Sequence, residues 1–223
     1  MPAPKDISQK AKGISLRFLI VAGLFLLCLF LFLVIADEMV LEKENYLDFV
    51  AFKEINKITN TSTTRIMLFI TFFGSRYFLL PAYGLLIGWC VLVKKNSRLL
   101  MDVAAVGITS TIILFSLKAI FQRHRPLDPL LHTINGYSFP SGHSFSSFTF
   151  FGLLIYIMWK FNMNPLVRWA ATVFLFLFAS AIAISRVYLH VHYASDVIAG
   201  FCLCMVWLSL SLWMIKTLQP KID

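Results

Sequence analysis

Charge is scarce in this chain. Asp, Glu, Lys and Arg together make up 14% of its 223 residues, and only 11 residues are acidic. A soluble enzyme of this size needs charged faces on its helices, and the long apolar stretches here carry almost no charge. Cysteine is equally sparse. Cys28, Cys90, Cys202 and Cys204 all fall inside apolar stretches and form no CxxC pair. They offer no extracellular disulfide framework and read as small packing residues. The sequence has no internal repeat and no low-complexity segment, so a single membrane domain is the simplest organisation.

Apolar residues make up 59% of the chain, at a mean hydropathy of +0.78. They come in runs of about 17–25 residues, enough to cross a hydrocarbon core of roughly 30 Å. Six spans are expected, at residues 14–36, 77–93, 99–121, 144–159, 166–187 and 195–215. Backbone groups in lipid must be satisfied within the segment, so each span should be helical. The expected fold class is all-α, an integral membrane bundle of six transmembrane helices. An amphipathic helical segment should lie outside, between the first two spans. The expected layout has tails at 1–13 and 217–223, a membrane domain at 14–216, an outer segment at 37–76 and a motif-bearing region at 118–196.

Lysine and arginine set the orientation. Lys5, Lys10, Lys12 and Arg17 precede or open the first span. Lys94, Lys95 and Arg98 lie after the second, Lys160 and Arg168 after the fourth, and Lys216 and Lys221 after the sixth. With six spans all of these fall on one side, which should be cytoplasmic, with both termini there. The net charge of +9 follows from that rule and needs no nucleic acid. The N-terminal stretch resembles a signal peptide, but its apolar part exceeds the usual 7–15 residues, so a retained anchor is expected.

In the outer segment Phe49, Phe52, Ile55 and Ile58 recur at helical spacing, with Lys53, Glu54 and Lys57 between them. That pattern predicts an amphipathic helix at the membrane surface. A second short helix over 61–75 should be capped near Thr61 or Ser62. Arg76 is expected at the outer boundary of the second span, because a mid-membrane arginine costs several kcal/mol. The alternative is that it reaches into the mouth of the site. Asp102, near the inner end of the third span, should face water or pair with a cytoplasmic lysine.

Three clusters carry chemistry. In Phe139-Pro140-Ser141-Gly142-His143, a turn opens onto an apolar run. A helix start exposes unpartnered N–H groups and a positive dipole end, which suits an anion, and His143 adds a proton donor or acceptor. Alone, such a turn is more often a cap than a catalyst. Upstream, Lys118 and Arg125-Pro126 flank Gln122, Arg123 and His124. Lys118 alone could snorkel to the interface. With Arg125 it supplies a point charge and a planar fork, both suited to phosphate. Downstream, Ser185-Arg186 is followed by His190, His192 and Asp196. His192 and Asp196 are four apart and share a face if helical, so the carboxylate can fix the imidazole tautomer and strengthen its other nitrogen. His190 would then point elsewhere. The span directions bring all three clusters to one membrane face.

Lys118-x6-Arg125-Pro126, Pro140-Ser141-Gly142-His143 and Ser185-Arg186-x5-His192-x3-Asp196 together resemble the signature of the type 2 phosphatidic acid phosphatase family, a relative of glucose-6-phosphatase and the vanadium haloperoxidases. His190 departs from it, since many members carry a small residue such as glycine there. The resemblance implies a metal-independent phosphatase without cofactor. It makes His192 the nucleophile that becomes a phosphohistidine, Asp196 its orienting partner and His143 the general acid and then base. Lys118, Arg125, Ser141, Gly142 and Arg186 would hold the phosphate. The implied substrate is a membrane-embedded lipid phosphate, acted on at the outer face of a bacterial inner membrane, with no obligatory protein partner. Undecaprenyl diphosphate ranks first, with phosphatidylglycerol phosphate beside it. A lipid A phosphatase, a lipid phosphotransferase and a non-enzymatic lipid-phosphate binder or transporter are the alternatives. A binder would need the cations but not both histidines and Asp196.

Overall fold

The structure, a computed structural model, describes residues 4–41, 46–94, 97–131 and 135–218, without the side chains of 4–15, 17, 39–41 and 218. Residues 1–3 and 219–223 of the expected tails lie outside the described residues. So do Lys95, Lys221 and the side chains of Lys5, Lys10, Lys12 and Arg17, on which part of the expected orientation rests. The described residues form helices α1 (Pro4–Leu41), α2 (Tyr46–Ile58), α3 (Thr61–Phe72), α4 (Arg76–Leu92), α5 (Ser97–Phe121), α6 (Gly142–Lys160), α7 (Pro165–Tyr188) and α8 (Ala194–Leu218). No strand occurs among them.

Among the described residues five stretches are long and apolar enough to cross a membrane: Phe18–Glu38, Thr61–Leu92, Ser97–Phe121, Pro165–Tyr188 and Ala194–Thr217. α6 is not among them, because Gly142, His143, Ser144, Ser146, Ser147 and Thr149 make its first half polar. The second stretch begins well before residue 77. It combines α3 and α4 across a break at Phe73, Gly74 and Ser75. Arg76 opens α4, is exposed and stacks on the Tyr77 ring at 5.0 Å.

Local chemistry explains the ends of several helices. The α3 cap is Asn60 rather than Thr61 or Ser62. Its side chain accepts from the amides of Ser62 and Thr63, each at 3.0 Å, and Thr63 Oγ1 accepts from the Asn60 amide in return. α7 begins with Asn164 as cap and Pro165 at its first position, where a missing N–H costs nothing.

α1 packs on α8 through Cys28, Phe32, Ile35, Ala199, Cys202 and Leu203. α6 packs on α7 through Phe150, Phe151, Ala179 and Ile182, with Leu79 of α4 closing that cluster. The outward surfaces remain apolar. Phe30 on α1, Phe115 on α5 and Leu177 on α7 are all exposed, as lipid-facing side chains should be. α2 docks on the ends of α7 and α8 with Phe52 and Ile55, whereas Phe49 and Ile58 stay exposed. Its first turn buries a carboxylate, Asp48.

The two ends of the bundle differ in content. Lys94 sits over the Phe161 ring, Arg168 over Trp159, and Lys160 lies 3.4 Å from Asp102, so these basic groups gather at one end. Of the two surroundings expected for Asp102, water or a lysine, the structure shows a lysine. The first residues of α6 lie at the other end.

Candidate active site

Phe139 and Phe145 anchor the turn that opens α6. Both are fully buried, and Phe139 packs against the rings of Phe121 and Phe32 at 5.0 and 5.9 Å. Between them Ser141 caps the helix, its Oγ accepting from the Ser144 amide at 3.4 Å. The Ser141 amide donates to the Asp196 carbonyl at 3.0 Å, tying the turn to α8. Gly200 permits that approach, since a Cβ there would lie 2.9 Å from the Ser141 carbonyl oxygen. The amides of Gly142 and His143 have no acceptor among the described residues. They are the free first-turn donors that an anion can use. Gly74, in the α3–α4 break, presses on the same place. A Cβ there would come within 3.0 Å of the His143 ring.

His192 lies in the turn before α8, not on the helix with Asp196 as its spacing suggested. Asp196 is the third residue of α8, and its carboxylate turns back to the chain before the helix. Oδ2 accepts from the Tyr193 amide at 3.0 Å and lies 3.2 Å from His192 Nδ1. The expected contact therefore forms through a helix-start geometry. It leaves Nε2 of His192 facing Arg125 Nη1 at 3.2 Å. His190 is likewise off the helix, with φ +52, and its ring packs on Phe52 at 4.8 Å. That backbone region favours glycine, which gives the small residue expected here a steric reason.

The three cations are positioned by neutral acceptors. Lys118 Nζ donates to the carbonyls of Tyr137 and Ser138 at 2.7 and 3.2 Å. Arg125 donates to those of Gly136 and Val191 at 3.0 and 2.8 Å. Arg186, buried in α7, donates to Thr71 Oγ1 of α3 at 2.7 Å, and its Nε has no hydrogen-bond partner among the described residues. His143 lies within electrostatic reach of Arg186, His192, Arg125 and Lys118. Asp196, the carboxylate beside this group, is already held by His192 and Arg123. The site therefore holds uncompensated positive charge around two imidazoles.

Burial lowers the His192 imidazole from about 6.5 to about 3, and the positive charges of Arg186 and Arg125 add to that, against the pull of Asp196. The ring is neutral at physiological pH, with Nδ1–H donated to the carboxylate and a lone pair on Nε2. Burial also lowers Arg125. Arg123 is raised: burial opposes this, but the adjoining Asp196 and Asp48 carboxylates outweigh it.

Sequence reading passed over Arg123 and Asp48. Arg123 Nη1 donates to Asp196 Oδ1 at 2.7 Å and to Ser195 Oγ at 2.8 Å, while Nη2 donates to Asp48 Oδ2 at 2.8 Å. Asp48 also accepts from the Ser195 amide at 2.8 Å and from Ser195 Oγ at 2.7 Å. Thr71 and Gly74 were likewise invisible. Only the odd arginine two residues before Arg125 offered a signal.

Long apolar helices, a cluster of cations and two imidazoles near the starts of α6 and α8 are the features of a membrane protein that handles an anion. The profile of the PAP2 superfamily matches residues 99–220. The chain is 31% identical to phosphatidylglycerophosphatase B of Bacillus subtilis over 160 residues, covering 70% of this chain and 75% of that protein. It superposes on the crystal structure of a transmembrane PAP2-type phosphatidylglycerolphosphate phosphatase from Bacillus subtilis with a TM-score of 0.74 and 26% identity, covering 91% of this chain and 98% of the other. The structure of Aquifex aeolicus LpxE matches with a TM-score of 0.60 and 25% identity, over 77% of this chain and 98% of that one. The chain belongs to the PAP2 superfamily. It is an integral membrane enzyme, a lipid phosphatase of the kind its relatives represent.

Proposed function

We propose that the protein removes the terminal phosphate of phosphatidylglycerol phosphate through a phosphohistidine on His192, without a metal. The carrying observation is the convergence of Lys118, Arg125 and Arg186 on His143 and His192, with none of the three cations hydrogen-bonded to a carboxylate among the described residues. Such a pocket attracts a phosphate dianion and repels a divalent cation. The relatives named for phosphatidylglycerophosphate move that lipid ahead of undecaprenyl diphosphate.

The phosphate draws Arg125 onto its oxygens, which frees the Nε2 lone pair of His192. Nε2 attacks phosphorus, and the P–O bond to the lipid breaks as His143 protonates the departing oxygen. Asp196 holds the Nδ1 proton and stabilises the charge gained by the ring. The three cations, with the free amides of Gly142 and His143, hold the equatorial oxygens, and Ser141 sets that turn. In the second step His143 takes a proton from water, which attacks phosphorus, and the P–N bond breaks to release phosphate and neutral His192.

α6 serves as the sixth crossing. The basic residues at the Lys160 end then face the cytoplasm, and the site faces outward at headgroup level, where a lipid keeps its tails in the bilayer. α2 lies on that outer surface. The test is a phosphate-release panel on the purified protein, covering phosphatidylglycerol phosphate, undecaprenyl diphosphate and phosphatidate with EDTA present. Phosphatidylglycerol phosphate should give the highest kcat/KM, and His192→Ala should release nothing. Turnover by His192→Ala, or a requirement for a divalent ion with every substrate, overturns the mechanism.

A further inference from the structure

The buried pairing of Arg123 joins two parts of the chain that the reaction itself does not need to join. Its planar guanidinium is bidentate between carboxylates. Nη1 is on Asp196 at 2.7 Å and Nη2 on Asp48 at 2.8 Å, with side-chain exposures of 11% for Arg123, 5% for Asp48 and 0% for Asp196. Asp48 belongs to α2, outside the PAP2-matched region, and it also clamps Ser195, the residue before Asp196, by amide and hydroxyl. The Arg123 guanidinium stacks on the Tyr193 ring at 3.9 Å, and Phe52 of α2 packs on that ring and on His190. The turn that carries His192 is thus gripped by Asp48 and Phe52 from α2 and by Arg123 from the loop after α5.

We infer that Arg123 and Asp48 are positioning residues of the reaction: α2 acts through them as an outer clamp that fixes the Asp196 carboxylate, and so the direction of the His192 lone pair. This rests on His192 and Asp196 holding the roles proposed above. Asp196 has two oxygens with separate duties. Oδ2 serves His192 and the Tyr193 amide, and Oδ1 serves Arg123. Without Arg123 the carboxylate can rotate, and the imidazole loses its fixed angle. A misplacement of about 1 Å in an attacking group costs roughly 10²-fold. Lysine cannot replace the fork, since one ammonium does not span two carboxylates in fixed directions.

Charge gives the second signature. The groups around Asp196 and His192 are Arg123, Arg125, Lys118, Arg186, His143 and, beyond Arg123, Asp48. Losing the Arg123 charge favours protonation of the His192–Asp196 pair, so the acid limb of the kcat/KM profile should move to higher pH. A variant that merely folds less completely loses amplitude without moving that limb.

The experiment measures pH profiles of p-nitrophenyl phosphate hydrolysis by full-length detergent-solubilised protein, with melting temperature read in parallel. Arg123→Gln should lose about 10²-fold in kcat with KM changed far less, and its acid limb should shift alkaline. Arg123→Lys should restore the limb but not the rate. Asp48→Asn keeps an acceptor for the Ser195 amide and should fall between wild type and Arg123→Gln in kcat. In the Asp196→Asn background, Arg123→Gln should cost little more, because its route through Asp196 is already broken. The inference is overturned if Arg123→Gln keeps wild-type kcat, if its loss comes with an unmoved acid limb, or if it multiplies fully with Asp196→Asn. Activity in His192→Ala would instead refute the proposed mechanism, so the two failures are separable.

Discussion

Arg123 and Lys160 each bring a cation to a carboxylate at the edge of the helical bundle, at opposite ends, and the two pairings differ in kind. At the end that the proposed topology makes the outer one, a rigid fork spans two carboxylates at 2.7 and 2.8 Å, and the three side chains are 11, 5 and 0% exposed. At the other end, the inner one in that topology, a flexible ammonium lies 3.4 Å from Asp102, and Lys160 is 40% exposed. Water and salt reach the second pair and weaken it, whereas the first is dry and directional. A buried ion pair is weak evidence for stability in its own right. One that fixes the angle of a reactive group has a different use. The outer network orients the carboxylate against His192, and the inner pair orients nothing that reacts.

A second contrast lies within the outer end. Arg123 and Arg125 are two residues apart. The first spends its charge on two carboxylates, and the second donates to carbonyls and to His192 Nε2. The first is thereby committed to holding the two carboxylates, and the second keeps its charge free of carboxylate hydrogen bonds among the described residues, as the proposed phosphate-binding role requires. α5 ends at a positive φ of +47 at Gln122, and the loop beyond it brings Arg123 to Asp48 of α2 and Asp196, and Arg125 to Val191 and His192.

The largest expected effect breaks the outer end at its chemistry. His192→Ala should abolish turnover with an alkyl phosphate and with p-nitrophenyl phosphate alike, because no leaving group replaces a nucleophile. His143→Ala should cost about 10²–10⁴-fold with the alkyl phosphate and much less with p-nitrophenyl phosphate, whose oxygen departs without a proton. Single-turnover formation of the phosphoenzyme is the measurement, since in the proposed mechanism His143 also serves the second step. Equal sensitivity of the two variants to the leaving group would dissolve the division between the histidines.

A smaller effect appears in stability against pH. His192 is held near 3 in the folded protein against about 6.5 when exposed. Between those values the unfolded chain binds the proton and the folded state does not. Stability from this group is therefore present above pH 6.5 and is lost as pH falls from there towards 3. Melting temperatures at pH 7.5 and 5 should fall more for wild type than for His192→Phe, which carries no titrating ring. Identical falls would mean that the imidazole is not held neutral by its surroundings. A variant of the inner pair should keep the wild-type slope.

Much of this architecture was legible in the chain. Long apolar runs gave helices α5, α7 and α8 to within a few residues, because lipid leaves the backbone no other solution. The gathering of Lys118, Arg125, Ser141, Gly142, His143, Arg186, His192 and Asp196 at one end of the bundle was legible, because all of them lie at or just beyond the ends of α5, α6, α7 and α8. Arg123 and Asp48 were not. Their contact spans 75 residues, and that between Asp48 and Ser195 spans 147, so no local spacing encodes either. Asp48 read as one more acidic residue of an outer segment. The break at Gly74 was hidden for a related reason. Arg76 argued for a boundary on cost alone, while the glycine that touches His143 has no pattern that a sequence reader can weigh.

The smallest effect tests the inner end. Lys160→Gln keeps a polar, slightly shorter side chain near the Tyr156 ring and removes the charge beside Asp102. An exposed pair of this kind contributes about 0–1 kcal/mol, and in a chain of this size 1 kcal/mol moves the melting temperature by roughly 2–4 °C. A fully buried carboxylate stripped of its partner would instead cost about 3–5 kcal/mol. Asp102 is itself buried, so the question is which case applies, and the 40% exposure of Lys160 decides for the first. Water that reaches the ammonium can take its place, and Asp102 has interactions besides Lys160. Lys160→Gln should therefore keep kcat and KM within about two-fold and lower the melting temperature by a few degrees at most. A loss of activity like that of Arg123→Gln would show that the inner end also controls the site, and the contrast between the two ends would then be one of distance rather than of kind.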